Sequence, residues 1–241
     1  NCIANFAAES HVDRSINNPN NFIKTNIEGT YNLLDVFKNA WAESNFPSNW
    51  RFLHVSTDEV FGSLLNSDNK SNEKSKYLPR SPYSASKAAS DHLVMAWFHT
   101  YGLPVIISNC SNNYGPFQFP EKLIPKTIIS CLLGNKIPVY GSGDNIRDWL
   151  YVDDHISALA KLITKAEPGK NYCIGGYGEI TNLEIVNMIC EIVDEFSKNS
   201  NKSKSLIEFV EDRPGHDFRY AIDSSLIYKD LRWKPIVSLD N

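Results

Sequence analysis

The chain has 241 residues, with 24 basic and 28 acidic side chains and therefore a formal net charge of −4. A composition of 42% hydrophobic and 22% charged residues is typical of a globular protein, which excludes a disordered, collagen-like or disulfide-scaffold chain. The acidic balance argues against a nucleic-acid partner, and no apolar run is long enough to cross a membrane. The five cysteines are widely spaced, which favours reduced thiols in a cytoplasmic protein.

The first half of the chain alternates strand-like runs with helical apolar spacing, which is typical of a parallel sheet covered on both faces. This spacing predicts helices over about 19–42 and 82–101, and the second begins at Pro82 with Gly102 just past its end. Strands are predicted at 3–6, 52–56 and 105–108. The polar stretch 63–80 is expected to be a mobile loop.

The second half mixes shorter elements on either side of a polar loop at 197–205. Helices are predicted at 123–133, 153–165, 182–196 and 226–230, and strands at 137–140, 172–174, 207–210 and 220–222. The sequence therefore predicts an α/β core with a smaller α+β part.

The stretch 81–87 places Tyr83 and Lys87 four residues apart in the first turns of a helix, so that both project from one face. A phenol has a pKa of about 10 and is a poor base at neutral pH, but a nearby ammonium favours the phenolate. The pattern indicates an acid–base pair, although a surface Tyr and Lys at chance spacing would look the same.

Thr57, Asp58 and Glu59 directly follow the strand predicted at 52–56. Ligands of an open parallel sheet lie beyond the carboxyl ends of its strands, so these side chains are placed for catalysis. Adjacent acids can divide the acid and base roles if their surroundings separate their pKa values. The alternative is a helix start with Thr57 as its cap.

Neither glycine cluster predicts a phosphate-binding loop. The stretches 141–143 and 175–178 are interpreted as turns, because the first does not open a helix and the second has Thr181 where a small residue is needed. Cationic or donor side chains that could clamp a diphosphate, or simply lie on the surface, are Arg147, Arg213, Arg219 and His216. The histidines do not fall at metal-ligand spacing, so no metal is expected.

Together these features belong to a set of motifs that runs along nearly the whole chain. The segments are 7–14, 25–27, 56–60, 81–87, 109–116, 119–125, 146–152 and 212–217. In these segments the chain resembles the dTDP-glucose 4,6-dehydratase family, within the extended short-chain dehydrogenases/reductases. Phe61 departs from the Tyr that is common in that family.

The resemblance implies a Rossmann-like doubly wound parallel sheet in residues 1–113 that binds NAD. It implies a smaller α+β domain in 114–241 that binds the nucleotide sugar, with about 145–166 packing back on the Rossmann core. The family's first segment, with its glycine-rich loop, and its last helices have no counterpart here. We therefore expect an N-terminally incomplete sheet in a partial copy of a longer enzyme.

The implied reaction converts dTDP-glucose to dTDP-4-keto-6-deoxyglucose. Tyr83 would take the proton of the 4-hydroxyl, whose oxygen Thr57 would bond. Lys87 would hold the nicotinamide ribose and lower the Tyr83 pKa. Glu59 would then remove the C5 proton while Asp58 protonates the departing 6-hydroxyl.

By the same resemblance, the residues expected to bind the cofactor are Ala7, Ala8, Glu9, Ser10, Thr25, Tyr83, Lys87 and Asn113. Those expected to bind the nucleotide sugar are Ser10, Thr57, Asn112, Lys122, Leu123, Ile124, Pro125, Arg147, Asn182, Asp212, Arg213 and His216. A homodimer is expected, through a helix pair that includes residues 83–101.

Two alternatives stay open. One is a related UDP-sugar dehydratase, a 4-epimerase or a decarboxylase, although the pair of Asp58 and Glu59 favours elimination. The other is a non-catalytic nucleotide-sugar-binding remnant, which keeps Arg147 and the turn 212–216 but holds no NAD.

Overall fold

A sheet of four parallel strands forms the centre of the chain. The structure, a computed structural model, describes residues 1–197 and 202–239, so part of the loop predicted at 197–205 lies outside the described residues. The strands are β1 (Cys2–Asn5), β2 (Arg51–Thr57), β3 (Val105–Cys110), β4 (Asn112–Tyr114), β5 (Ile137–Tyr140), β6 (Ile146–Tyr151), β7 (Lys170–Ile174), β8 (Glu179–Thr181) and β9 (Ile207–Val210). The α-helices are α1 (Val12–Asn17), α2 (Pro19–Phe22), α3 (Gly29–Glu43), α4 (Pro82–Tyr101), α5 (Leu123–Leu133), α6 (Val152–Lys165), α7 (Asn182–Ser197) and α8 (Ser225–Leu231).

The central sheet has the strand order β1-β2-β3-β7, and every neighbouring pair is parallel. Leu53 of β2, for example, pairs with Ala4 of β1 and with Ile106 of β3. All residues of β3 are buried, as expected for a strand that helices cover on both faces. The predicted α/β class is therefore confirmed.

Separate apolar clusters fill the two faces of this sheet. Phe37, Phe52 and Val94 belong to the cluster beneath α3 and α4. Leu53 and Leu162 belong to the cluster beneath α6 and α8 on the other face. Helix α6 therefore packs on the central sheet although it follows strands of the smaller part.

The smaller part contains the sheet β4-β6-β8 and the parallel pair β5-β9. Its core is a third cluster, in which Trp149 of β6 and Ile137 of β5 meet Val186 and Ile189 of α7. No helix in the two described stretches of the chain has the length and apolar content needed to span a membrane.

Helix α4 begins and ends at the predicted residues because the capping residues at both of its ends adopt the expected conformations. Ser81 and Ser84 form a capping box, and Pro82 occupies the first turn. Gly102 ends the helix in the left-handed conformation, with φ of 69°. The helix predicted at 19–42 is present as α2 and α3, joined by a π-helical segment, Ile23–Glu28.

Some predicted elements differ from the structure. The short helix α1 and the strands β4, β6 and β8 were not predicted, and the strand predicted at 220–222 is reduced to isolated bridges. The stretch 63–80, expected to be mobile, is instead anchored at several points. The Arg219 guanidinium donates to the Leu65 and Asp68 carbonyls, both at 3.1 Å, and the Ser71 amide donates to Ala221 at 2.9 Å.

Candidate active site

Thr57 is the last residue of β2, at the carboxyl end of the central sheet. Its hydroxyl accepts a hydrogen bond of 3.3 Å from the Glu59 amide and so caps the short 3₁₀ turn Asp58–Phe61. The capping role predicted as the alternative for Thr57 is thus present. It also holds the two acids at the sheet edge where ligands of parallel sheets bind.

Tyr83 lies in the first turn of α4 and reaches the same strand end. Its hydroxyl lies near the Thr57 side chain, and its ring packs edge-on against Phe22, with centroids 6.2 Å apart. Burial, and after it the Glu59 and Cys110 groups, raise the pKa of Tyr83 well above its usual value. The phenol is therefore protonated at neutral pH.

Lys87 lies one turn further along α4 and is also buried. Its ammonium donates a hydrogen bond of 2.8 Å to the Val55 carbonyl. Burial lowers the pKa of Lys87, and the Asp91 carboxylate opposes that shift. The expectation that Lys87 lowers the Tyr83 pKa stays a prediction, and the net shift is upward because burial and the neighbouring acidic groups raise it.

Asp58 and Glu59 are adjacent carboxyl groups in different electrostatic surroundings. Burial, with added negative charge from Glu59 and Asp148, raises the pKa of Asp58 well above its usual value. Burial also raises the pKa of Glu59, but the cations Arg213 and Arg147 act against that rise. Both pKa values are raised, that of Asp58 more strongly, and this difference separates the two acids in the direction that a division of acid and base roles requires.

Arg147 and Tyr220 form one wall beside Glu59. The guanidinium lies 4.3 Å from the centre of the Tyr220 ring and donates to the Asp217 carbonyl at 3.0 Å. The Tyr220 hydroxyl donates to the Asp217 carboxylate at 2.5 Å and lies 3.5 Å from the Glu59 carboxylate. No spacing or motif in the sequence assigned a role to Tyr220 or Asp217.

A cleft of about 220 Å³ opens beside Glu59. The residues expected to bind the sugar nucleotide that line it are Ser10, Asn112, Lys122, Leu123, Arg147, Asn182, Arg213 and His216. Three of these carry a fixed positive charge, and guanidinium and ammonium groups are the usual partners of phosphate oxygens. The cleft therefore joins a candidate base to a surface suited to a diphosphate.

Four of the expected sugar-nucleotide contacts are not on the cleft surface. Ile124 packs against the core of the smaller part, and Pro125 follows it in α5. Asp212 accepts a hydrogen bond of 2.6 Å from the ring of His216 and so orients that imidazole. Thr57 is buried behind the cleft.

The residues that line the cleft but were not expected in the site include Tyr140 and Asp13. The Tyr140 hydroxyl donates to the Asp13 carboxylate at 3.0 Å, and both side chains line the cleft. Tyr140 is the last residue of β5, so its position at a strand end was the available signal. Asp13 lies in α1, which was not predicted.

The residues 7–10 form a partly exposed loop directly after β1. Asn26 holds this loop, because its side chain accepts from the Glu9 amide at 2.9 Å and donates to the Glu9 carbonyl at 3.0 Å. The same side chain donates to the Ser86 hydroxyl at 2.9 Å and so joins the loop to α4. Thr25 is exposed beside it. The sequence places Asn26 in the motif 25–27 but assigns it no role.

Asn113 completes the set of expected cofactor contacts. Its amide nitrogen donates to the Ser111 carbonyl at 3.0 Å. Its amide oxygen is buried without a hydrogen-bond partner in the described part of the chain. A buried acceptor without a partner costs free energy, so this position fits a donor from a bound ligand.

Both glycine clusters are turns, as predicted. The amides of Gly176 and Gly178 donate to the Asp148 carboxylate at 3.1 and 2.8 Å, so a protein side chain occupies the place where a phosphate would bind. Burial raises the pKa of Asp148 to about 6. Within residues 1–197 and 202–239, no group of three or more His, Cys, Asp or Glu side chains is arranged for a metal ion.

The chain is similar to known proteins along its whole length. A sequence profile of the family described as GDP-mannose 4,6 dehydratase matches residues 1–241. The dTDP-glucose 4,6-dehydratase of Salmonella typhimurium is 51% identical over 249 aligned positions, covering 99% of this chain and 69% of that protein. The enzyme of the same name from Neisseria meningitidis serogroup B is 50% identical, again with 99% and 69% covered.

Solved structures agree with these sequence relatives. A dTDP-glucose 4,6-dehydratase of Streptomyces venezuelae, with NAD and TYD bound, has a TM-score of 0.89 and 42% identity over 100% of this chain and 70% of its own. A UDP-glucuronic acid 4-epimerase of Bacillus cereus has a TM-score of 0.85 at 25% identity, with 99% and 71% covered. The resemblance inferred from the motifs is confirmed: the chain belongs to the dTDP-glucose 4,6-dehydratase family.

Proposed function

We propose that the chain catalyses the NAD-dependent dehydration of dTDP-glucose to dTDP-4-keto-6-deoxyglucose. The reaction oxidises C4, eliminates water across C5 and C6, and then returns hydride to C6 and a proton to C5. The observation that carries this proposal is the adjacent pair of Asp58 and Glu59 at the end of β2, where burial raises the pKa of Asp58 strongly and the cations Arg213 and Arg147 oppose the rise at Glu59. Elimination of water needs such a pair, an acid for the leaving hydroxyl and a base for the neighbouring proton.

Tyr83 and Thr57 act at the 4-hydroxyl in this proposal. The Thr57 hydroxyl bonds the oxygen at C4, and Tyr83 takes its proton. Thr57 ends β2 and Tyr83 lies in the first turn of α4, so both groups meet at one edge of the sheet. Because Tyr83 is protonated at neutral pH, we expect the C4 oxidation to become faster as the pH rises.

Glu59 and Asp58 act at C5 and C6. A ketone at C4 acidifies the C5 proton, which Glu59 then removes. Asp58 gives its proton to the 6-hydroxyl, which leaves as water. Glu59 lines the cleft and Asp58 is buried behind it, so a sugar lying across the cleft reaches the base first.

The described residues fit the nicotinamide–ribose half of NAD. The support is the unpaired Asn113 oxygen, the buried Lys87 ammonium and the open loop 7–10 that Asn26 holds. Lys87 and Tyr83 would hold the ribose, and Thr25 and the loop would line the rest of the site. Bound NAD supplies the acceptor for the C4 hydride and its later donor to C6.

The diphosphate of the sugar nucleotide would lie against Lys122, Arg147 and Arg213, the cations that line the cleft. His216 would line the diphosphate site as a neutral imidazole, because burial, and then Arg213, lower its pKa to about 4. The preference for thymine over uracil is proposed from the names of the relatives.

The test is to incubate the purified chain with dTDP-glucose and NAD and to weigh the sugar nucleotide by mass spectrometry. We expect the loss of one water, and we expect Tyr83→Phe to abolish it. Tyr228→Phe removes an exposed hydroxyl on α8 and is the matched control, with turnover like that of the parent chain. Comparing dTDP-glucose with UDP-glucose decides the base preference.

Other outcomes identify the alternatives. A product of unchanged mass that is the 4-epimer would show an epimerase. Binding of dTDP-glucose with no bound NAD and no change of mass would show a non-catalytic binding protein.

We also propose a homodimer and a cytoplasmic location. Helices α3 and α4 expose Tyr31, Val36 and Tyr101, with 46%, 65% and 48% of each residue accessible, which supports a helix-pair interface on this face. Light scattering of the purified chain tests the dimer. The five free cysteines fit a reducing compartment.

A further inference from the structure

Asp91 is a buried carboxylate on α4, one turn after Lys87, and only 1% of it is exposed. One of its oxygens accepts hydrogen bonds from the Ser56 and Tyr77 hydroxyls, both at 2.8 Å. The same oxygen accepts from the Asn109 amide at 3.2 Å. Three donors on one oxygen supply the hydrogen bonds that a buried carboxyl group needs.

Hydrogen bonds from α4 hold three consecutive residues near the end of β2. The ring of His54 lies 3.1 Å from the Ser90 hydroxyl and 3.4 Å from the Asp91 carboxylate. The Val55 carbonyl accepts from Lys87 at 2.8 Å, and the Ser56 hydroxyl donates to Asp91. The next residue along β2 is Thr57, so these bonds fix the helix of Tyr83 against the strand end that carries the acids.

The charge of Lys87 needs a partner, because only 3% of this residue is exposed and an unpaired ammonium is costly to bury. The titratable groups that face it are Tyr83 and Asp91 on α4, His54 on β2 and Cys110 on β3. Burial lowers the pKa of His54 and raises that of Cys110 to about 12, so both are neutral at pH 7. Tyr83 is protonated as well, which leaves Asp91 as the negative charge of this set.

We propose that Asp91 is a positioning residue whose buried carboxylate keeps the Lys87 ammonium charged and locks helix α4 to the end of β2. It touches no expected substrate atom and acts through Lys87. Its importance for catalysis rests on the proposed function, whereas its effect on the charge of Lys87 does not.

The test is a pH titration of Lys87 by NMR in the full chain labelled with ¹³C at the lysine ε-carbon. The signal of Lys87 is the one that disappears in Lys87→Arg. Asp91→Asn removes the charge, and we expect the Lys87 midpoint to fall by at least about one pH unit. Asp91→Glu restores the charge and should return the midpoint toward that of the parent chain.

Glu73→Gln is the matched control. It neutralises another partly buried carboxylate, which accepts from the Cys173 amide at 2.8 Å, and it should leave the Lys87 midpoint in place. If Asp91→Asn does not fold, Asp91→Ser removes the same charge without forcing an amide group against the Asn109 donor. An unchanged Lys87 midpoint in a folded neutral variant, or an equal shift in Glu73→Gln, would overturn the proposal.

The pH profile of turnover gives the second readout. We expect the alkaline limit of activity to move to lower pH in Asp91→Asn, together with the Lys87 midpoint. A shifted Lys87 midpoint in a chain that does not dehydrate dTDP-glucose would refute the proposed function and leave the role of Asp91 intact.

Discussion

His155 of α6 is a buried imidazole that makes stability depend on pH. Only 5% of it is exposed, and its Nε2 has no hydrogen-bond partner in the described stretches. Burial lowers its pKa from 6.5 to about 4. The unfolded chain therefore binds a proton near pH 6.5 that the folded chain binds only near pH 4. The stability that this group contributes is complete above pH 6.5 and is lost as the pH falls through that window.

The size of the effect follows from the width of the window. A difference of roughly 2.5 pKa units, at about 1.36 kcal/mol for each unit, corresponds to about 3 kcal/mol at the acid end. His155→Leu removes the titrating ring, so the variant should escape this loss. Urea unfolding of both proteins at pH 7, 5 and 4 measures it as a difference that grows toward low pH.

The control is His92→Leu, which removes an exposed imidazole on α4 and should keep the acid sensitivity of the parent chain. If the free energies of unfolding of His155→Leu and the parent chain differ by the same amount at all three pH values, burial does not lower the pKa of His155 as argued. The result also sets the acid limit within which activity can be titrated.

Three further predictions concern the site and its supports. Asp58→Asn removes the proton donor and should lower turnover by about 10²- to 10⁴-fold, measured as rate of water loss, while binding of dTDP-glucose persists. Arg213→Gln removes a cation that lowers the pKa of Glu59, so the acid limb of the pH profile of turnover should move to higher pH. If that limb does not move, Glu59 is not the base. Gly176→Ala would place a methyl carbon 1.8 Å from the Trp149 carbonyl oxygen. We expect it to lower the free energy of unfolding in urea by at least about 1–3 kcal/mol. A variant as stable as the parent chain would refute this prediction.

The elements with clear end signals could be predicted from the sequence. Helix α4 has Ser81, Pro82 and Gly102 at its ends, and it spans the predicted residues. The three-residue strands β4 and β8 are too short for an alternating pattern, and they form only because β6 lies between them. At 220–222 the sequence has a strand-like pattern but the structure has no strand, because the backbone there forms only isolated β-bridges.

The residues of the candidate site also fall into those that the sequence predicts and those that it does not. Side chains at strand ends or helix starts, such as Thr57 and Tyr83, could be predicted because chain position fixes their place. Asn26, Asp91 and Tyr220 could not, because their importance comes from partners far away in the sequence. The net direction of the Tyr83 pKa shift could not be predicted for a related reason: burial is a property of the folded chain, and the spacing of two residues does not contain it.

Deuterium at C5 is the measurement that tests the central claim most directly. The chain is incubated with dTDP-glucose and NAD in D₂O, and the product is returned to H₂O and examined by mass spectrometry and NMR. If Glu59 removes the C5 proton, the product has lost one water and carries one solvent deuteron at C5. A sugar that keeps its oxygen and its C5 proton, whether unchanged or inverted at C4, would contradict the assignment of Asp58 and Glu59 to an elimination.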